Sequence, residues 1–273
     1  IIPGGRIHNF RHFMDFPDVF KNKNPRKPSF LHPAFDDGKR VTDTILEQDV
    51  MLTFPYHSFL PVIDLLRESA MDPEVTEIKI TAYRLASNSK IINALINAVR
   101  NGKNVTVMLE LRARFDEEAN LEWKEILEQE GVKVLIGVPN LKVHAKVCLI
   151  KKRQGRRTIQ YGFISTGNLN EKTAKVYSDF CLLTSNRFIM ADANRIFSYL
   201  EKPAEGIEPL RLCKTLWVCP TGMRKNIMAA INKEIQWAEQ GKPASIILKT
   251  NSLSDELLIN QLYKAVKAGV EVK

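Results

Sequence analysis

A helix–Gly–strand pattern that occurs twice restricts this chain more than any other feature. Residues 87–106, "SNSKIINALINAVRNGKNVT", align without a gap with residues 254–273, "SDELLINQLYKAVKAGVEVK", at an offset of 167. Ser87/Ser254, Ile92/Ile259, Asn93/Asn260, Leu95/Leu262, Ala98/Ala265, Val99/Val266, Gly102/Gly269 and Val105/Val272 coincide. Each copy reads as an amphipathic helix stopped by Gly and followed by a strand. The likeness extends upstream. "EIKITAY" and "SIILKT" both read as strands, and "FPYHSFLPVIDLL" and "CPTGMRKNIMAAINKEI" as helices entered through a Pro. Helix, strand, helix, strand recurring in order implies a duplicated α/β unit. The expected organisation is a linker and upstream tail over 1–35, a first domain over 36–208, and a truncated second copy over 209–273.

Between these repeats the periodicity switches between about 3.6 and 2. "KIINALINAVRNG" places Ile91, Ile92, Leu95 and Val99 on one helical face. "DEEANLEWKEILEQEG" has acidic residues in its first turn, as the helix dipole prefers, and "RFIMADANRIFSYLEK" is a further helix. "NVTVMLEL", "VKVLIGV", "KVHAKVCLI", "TIQYGFIST" and "KVYSDFCLLT" read as strands. The fold class is therefore layered α/β with a mixed, largely parallel sheet.

Composition narrows the partners. Forty Lys+Arg against 31 Asp+Glu give a formal charge of +9, which suits a polyanionic partner as well as a merely basic surface. No stretch has the apolar length of a transmembrane span. The N-terminus lacks a signal-peptide pattern and reads as a cut edge. The four cysteines form no CxxC pair and lie near no histidine, which argues against zinc and for reduced thiols in a cytoplasmic protein. His8, His12, His32 and His57 lie in loops or at helix edges with no evident pairing, and "KKRQGRR" (151–157) reads as a solvated hairpin turn.

The chemistry gathers around "NLKVHAKVCLI" (140–150). On a strand, His144 and Lys146 share a face. A neutral imidazole is a nucleophile towards phosphorus, and a neighbouring ammonium offsets negative charge on the group transferred. A lone H-x-K is more often structural, but its neighbours favour chemistry. "STGNLN" (165–170) follows a strand, and Gly167 and Asn168 suit it to cradle phosphate oxygens. "ITAYR" and "ARFDEEAN" place Arg84, Arg112 and Arg114 at strand ends, where ligands of α/β sheets gather. "KVYSD" adds Tyr177 to stack on or hydrogen-bond a nucleotide, and Asp179 to orient the imidazole. Any one of these arginines alone is more often a surface ion-pair partner.

These residues resemble half of a phospholipase D-type site, which is built from two copies and forms a phosphohistidine. The usual pattern H-x-K-x-x-x-x-D is broken, because Lys151 stands where Asp is expected. "KITAYRL", "VTVMLELRARFDEEAN", "LKVHAK" and "STGNLNEKTAKVYSD", with "GGRIHNFRHFMDFP" near the start, closely resemble the long, histidine-phosphorylating bacterial polyphosphate kinases. The resemblance covers almost the whole chain. It implies a phospholipase D-like α/β/α domain that moves the γ-phosphate of ATP reversibly to inorganic polyphosphate through phosphorylated His144. Lys146 and Asp179, read above as its neighbours, are the expected catalytic partners, and the resemblance adds Tyr177 as an ATP contact. Arg84 and Arg114 take the magnesium–phosphate positions, and contact phosphates that Mg2+ also touches, since a guanidinium cannot ligate a cation. ATP, ADP and polyphosphate are the implied partners, with a homo-oligomer and a cytoplasmic or membrane-associated location. Two rivals remain: a phosphodiesterase or nuclease using the same histidine, and a basic domain that binds polyanions without turnover. Lys151 argues against the first. The scarcity of aromatics among the basic residues argues against nucleic acid for the second. The chain alone is expected to turn over little, because a second-copy histidine would fall near position 311.

Overall fold

In the computed structural model, which describes residues 28–35, 38–83, 89–110 and 117–273, the predicted alternation becomes three layers. The elements in order are α1 (Val41–Glu47), β1 (Val50–Thr53), α2 (Leu60–Met71), β2 (Val75–Ala82), α3 (Lys90–Arg100), β3 (Asn104–Leu109), α4 (Glu117–Gln129), β4 (Lys133–Ile136), β5 (Lys146–Gln154), β6 (Arg157–Ser165), β7 (Phe180–Thr184), α5 (Arg187–Glu201), α6 (Glu208–Arg211), α7 (Met223–Glu239), β8 (Ser245–Ile246), α8 (Glu256–Lys267) and β9 (Glu271–Val272). α1 and β1 lie where the sequence showed no clear period. β1 is a four-residue edge strand, too short to display alternation.

The seven-stranded sheet has the order β1-β7-β6-β5-β2-β3-β4. It is mixed and largely parallel in direction. β1, β2, β3, β4 and β6 run one way, and β5 and β7 run the other. Parallel ladders are confined to β2–β3 and β3–β4, since β5 and β6 form a hairpin and β7 returns beside them. β2 is an interior strand, and its last five residues are all buried, as a strand covered on both faces must be. One face packs Ile78, Ile80, Cys148, Ile150 and Phe163 against α1, α2 and α3. The other packs Met108, Val147 and Leu149 against α5 and α6.

The repeat is visible down to its hydrogen bonds. Ser89 caps α3 and Asp255 caps α8. Gly102 (φ 77°) and Gly269 (φ 95°) close them in the left-handed region. After each glycine the next amide reaches back to an equivalent carbonyl, Lys103 N to Ala98 O and Val270 N to Ala265 O, both at 3.0 Å. β8 pairs in parallel with β9 as β2 does with β3.

A buried carboxylate fixes the passage between the two units. Asp192 of α5 is 1% exposed. Its Oδ2 accepts from the amides of Lys214, Thr215 and Leu216 at 3.0, 2.7 and 2.9 Å, and its Oδ1 pairs with Arg195. The four cysteines are free thiols. Of "KKRQGRR", expected as a turn, only Gly155 and Arg156 form one; 151–154 end β5, Arg157 starts β6, and the stretch is exposed from Arg153 to Arg157. Two histidines expected to stand alone do not. The His32 and His57 rings meet edge-on at 4.8 Å, because Phe30 bridges to His57 and brings the 28–35 strap onto the turn after β1. His57 Nδ1 accepts from Thr53 N at 2.9 Å.

Two outcomes follow. Asp192→Ala strands three amides and an arginine, and is expected to lower the unfolding free energy by about 2–3 kcal/mol in urea titrations. Asp192→Asn should cost less, and an unchanged midpoint for the alanine variant would refute this role. Burial, then the nearby His32, hold His57 below its ordinary imidazole value. Its folded-state value is thus depressed below the unfolded one. Its contribution is complete above about pH 6.5 and is lost as the pH falls through the folded value. Replacing His57 with Gln should flatten the stability profile just below pH 6.5.

Candidate active site

The C-terminal ends of β2, β3, β4 and β6 and the N-terminal ends of β5 and β7 share one edge of the sheet. The predicted site residues that the structure describes all lie along it. Arg84, Arg112 and Arg114 lie outside the described residues. His144 was expected within a strand, but β5 starts two residues later, at Lys146. The cause is Thr81. Its hydroxyl donates to Ala145 O at 2.7 Å and accepts from Val147 N at 2.9 Å, so a side chain replaces the β2 backbone and the chain peels off the ladder. His144 is consequently exposed while Lys146 is 3% exposed.

Tyr83, one residue past β2, organises the pair. Its buried ring meets the His144 imidazole edge-on at 4.9 Å, with an interplanar angle of 76°. Lys146 Nζ stands 4.9 Å from the same ring centroid and Lys142 Nζ 5.3 Å. The aromatic face stabilises two ammonium groups next to the imidazole. Lys146 Nζ also donates to His144 O at 2.6 Å. Behind Tyr83, the wholly buried Asn120 donates to Tyr83 O at 3.3 Å and Glu110 O at 3.1 Å. The buried Glu110 carboxylate accepts from Val143 N at 2.8 Å and so braces the segment that carries His144. Thr81, Tyr83, Glu110 and Asn120 were not singled out from sequence. For Tyr83 and Glu110 the available signal was their place just after apolar strands.

Tyr177 and Asp179 were expected on one strand face, yet both precede β7, in the turn after a 3-10 segment at Thr173–Lys175. Tyr177 is exposed. Asp179 Oδ1 accepts from Thr166 Oγ1 at 2.8 Å. That hydroxyl also accepts from Phe180 N, at 3.0 Å, which holds the turn to the end of β6. Gly167 is required by close approach. A Cβ there would lie 2.6 Å from Asp179 Cγ and 2.7 Å from its Cβ. The last paired residues are Lys146↔Ser165 and Ser165↔Cys181. Two positions further, Gly167 lies against Asp179, and His144, which has left the ladder, is the residue that an unbroken register would set beside Gly167. Gly167 supplies no side chain between its neighbours, and the Asp179 carboxyl leans into that space. Asn168 Oδ1 is buried without a partner. On the α5 side a cavity of about 510 Å3 opens beside His144 and Lys146, walled by Val143, Leu200, Trp217 and Met223 among others.

Lys151, in the position where a phospholipase D-type pattern has Asp, pairs with Glu77 at 2.7 Å further along β5. Among the described residues no group of three or more His, Cys, Asp or Glu converges as metal ligands would. No described helix is long and apolar enough to cross a membrane.

Fold and edge together define a mixed α/β protein with a histidine–lysine pair mounted on an aromatic ring at the mouth of its sheet. Comparison with known proteins places it more narrowly. Residues 40–206 match the family model described as polyphosphate kinase C-terminal domain 1, and residues 216–273 that of C-terminal domain 2. A polyphosphate kinase of Vibrio vulnificus is 44% identical over the whole chain, which covers 39% of that relative. One from Escherichia coli K12 is 43% identical, with 40% of it covered. A crystal structure of polyphosphate kinase from Porphyromonas gingivalis matches 99% of this chain and 45% of its own, with a TM-score of 0.84 at 37% identity. The chain belongs to the polyphosphate kinase family and spans about two fifths of the length of these curated relatives.

The Gly167–Asp179 contact has a measurable consequence. Gly167→Ala should destabilise the protein by about 1–3 kcal/mol through overpacking. Adding Asp179→Gly should recover part of that loss. Additive losses in urea unfolding would show that the two residues do not compete for the same space.

Proposed function

We propose that this chain carries the phosphoryl-accepting half of a polyphosphate kinase, with His144 as nucleophile. The observation that carries the reading is the exposed His144 imidazole held beside the Lys146 ammonium on Tyr83, in a chain of this family. The imidazole nitrogen attacks the γ-phosphorus of ATP in line. The bond from γ-phosphorus to the β,γ-bridging oxygen breaks and ADP leaves. A terminal oxygen of inorganic polyphosphate then attacks the phosphohistidine, which lengthens the chain by one phosphate and restores the imidazole. Lys146 offsets charge on the transferring group, and Asp179 orients the ring across Gly167. Tyr177, exposed at the same edge, contacts the nucleotide. The Gly167–Asn168 loop receives phosphate oxygens, and the unpartnered Asn168 Oδ1 is a polar atom that an ordinary turn leaves unexplained. Arg84 and Arg114 act on the phosphates.

The described residues do not fit a protein-ligated magnesium ion. Magnesium bound to ATP is held by the phosphates and water, and no step above passes through it. The homo-oligomer, and the location in the cytoplasm or at a membrane, rest on family resemblance.

Peptide mass spectrometry after incubation with Mg–ATP tests the reading. An acid-labile, base-stable phosphate is expected on His144 and is absent from His144→Ala. Asp179→Asn should slow its appearance roughly 100-fold. Growth of added polyphosphate, rather than cleavage of an added phosphodiester to a monoester and an alcohol, separates a kinase from a phosphodiesterase. This chain alone should show little steady synthesis. Polyphosphate that grows with no phosphate ever on His144 would replace this mechanism with direct transfer.

A further inference from the structure

The second helix–strand unit reaches the first unit's candidate site through Met223, at the cavity beside His144, and through Lys249, at the Asp179 turn. Ile246 pairs with Val272 as Ile78 pairs with Val105, so Lys249 occupies in its own unit the strand-end position that Thr81 occupies in the first. The main chain is fixed up to that point, because Leu248 N donates to Lys273 O at 2.8 Å. From there Lys249 Nζ crosses to the first unit. It donates to Ser178 O at 2.8 Å and stands 4.9 Å from the centroid of the Phe180 ring.

The place of that contact gives it meaning. Ser178 lies between Tyr177 and Asp179, and Phe180 is the first residue of β7. Thr166 holds the same turn from the inside, through Asp179 Oδ1 and Phe180 N. Lys249 holds it from the outside, through the carbonyl of the residue before Asp179 and the ring of the residue after. The turn is thus held by a main-chain bond, Phe54 N to Asp179 O at 2.8 Å, and by two side chains, one from each unit. An ammonium bound to a carbonyl and an aromatic face is a charge-assisted tether.

We propose that Lys249 is a positioning residue: it sets the Tyr177–Asp179 turn, and through Asp179 the His144 imidazole, so that the second unit governs the nucleophile of the first. The proposal rests on His144 being the phosphorylated group. It does not require ATP to be the donor.

The test uses potassium phosphoramidate as well as Mg–ATP. Phosphoramidate needs no nucleotide site. The imidazole nitrogen forms a bond to phosphorus, the P–N bond of the reagent breaks, and ammonia leaves with the proton. The rate of phosphate appearance on His144 is followed by peptide mass spectrometry for the unsubstituted chain, Lys249→Met, Lys249→Arg, Asp179→Asn and Lys249→Met/Asp179→Asn. Lys249→Met should slow phosphoramidate transfer roughly ten-fold without a change in melting temperature, since the residue is exposed. Lys249→Arg should recover most of the rate, because it keeps the donor and the charge over Phe180. In the Asp179→Asn background Lys249→Met should add almost nothing, as expected for residues that act through one another. Amide exchange measured on 176–181 should rise in Lys249→Met and stay unchanged elsewhere. Full-rate transfer in Lys249→Met, or additive losses with Asp179→Asn, overturns the proposal. Transfer from phosphoramidate but not from Mg–ATP, with the same variant pattern, upholds Lys249 and overturns the ATP-dependent reading. No phosphate on His144 from either donor overturns both.

Discussion

The Thr81 hydroxyl is the smallest interaction on which the site depends. Strand β5 runs against β2, and an unbroken ladder would carry His144 into the sheet, with its backbone paired and its position fixed by neighbours on both sides. One hydroxyl that satisfies both Ala145 O and Val147 N ends the ladder without leaving a buried amide unpaired. His144 is thereby released to the rim, while Lys146, the first residue still in the strand, stays buried beneath it. Glu110 and Asn120 then brace the released segment and its aromatic support. A nucleophile at a rim needs exposure and fixed geometry together. Here exposure comes from a broken ladder and fixity from side chains that take over the ladder's hydrogen bonds.

The charge of the molecule divides in the same way. Away from the rim, lysines are tied to carboxylates. Lys152 reaches Asp72 at 2.7 Å, Lys79 reaches Glu201 at 3.0 Å, and Lys151 reaches Glu77. Burial alone would push the Asp72 carboxyl up. The Lys152 ammonium, the Glu74 amide and Arg40 outweigh it and hold the group below the usual carboxylate range. These pairs fix the sheet and leave little field for a ligand. At the rim, Lys142 and Lys146 also lie over the Tyr83 ring. An aromatic face steadies an ammonium beside the imidazole.

Long periodic elements were legible in the sequence, and so was the repeat, because hydrophobic period and glycine closure are local properties. α3 and α8 emerge where the eight coincident residues place them, with the same terminal hydrogen bonds. The strand ends were not legible. Val143, Ala145 and Val147 alternate with His144 and Lys146 as though the strand continued, and nothing local shows that a threonine more than sixty residues earlier takes over its hydrogen bonds. Tyr177 and Asp179 were placed on β7 for the same reason, since "KVYSDFCLLT" alternates past the point where pairing begins. Gly167 was expected for close approach to a ligand. The structure shows close approach to Asp179. α1 and β1 escaped notice because a seven-residue helix and a four-residue strand hold too few periods to register.

The two units also explain why half of the site is legible from one of them. In the first, the strand end after β2 carries Thr81 and Tyr83, which face inward and build the His144 platform. In the second, the equivalent strand end carries Lys249, which faces outward and reaches the first unit's Asp179 turn. Duplication supplies the same backbone twice, and the side chains at its strand ends have diverged from platform to tether. A carboxylate that must lean across Gly167 lies on a turn whose main chain is held where Phe54 N donates to Asp179 O at 2.8 Å, and side chains add further attachments. Thr166 attaches it to the sheet that carries the imidazole. Lys249 attaches it to the other unit, and on the proposal made above a displacement of that unit bears on the Asp179 turn.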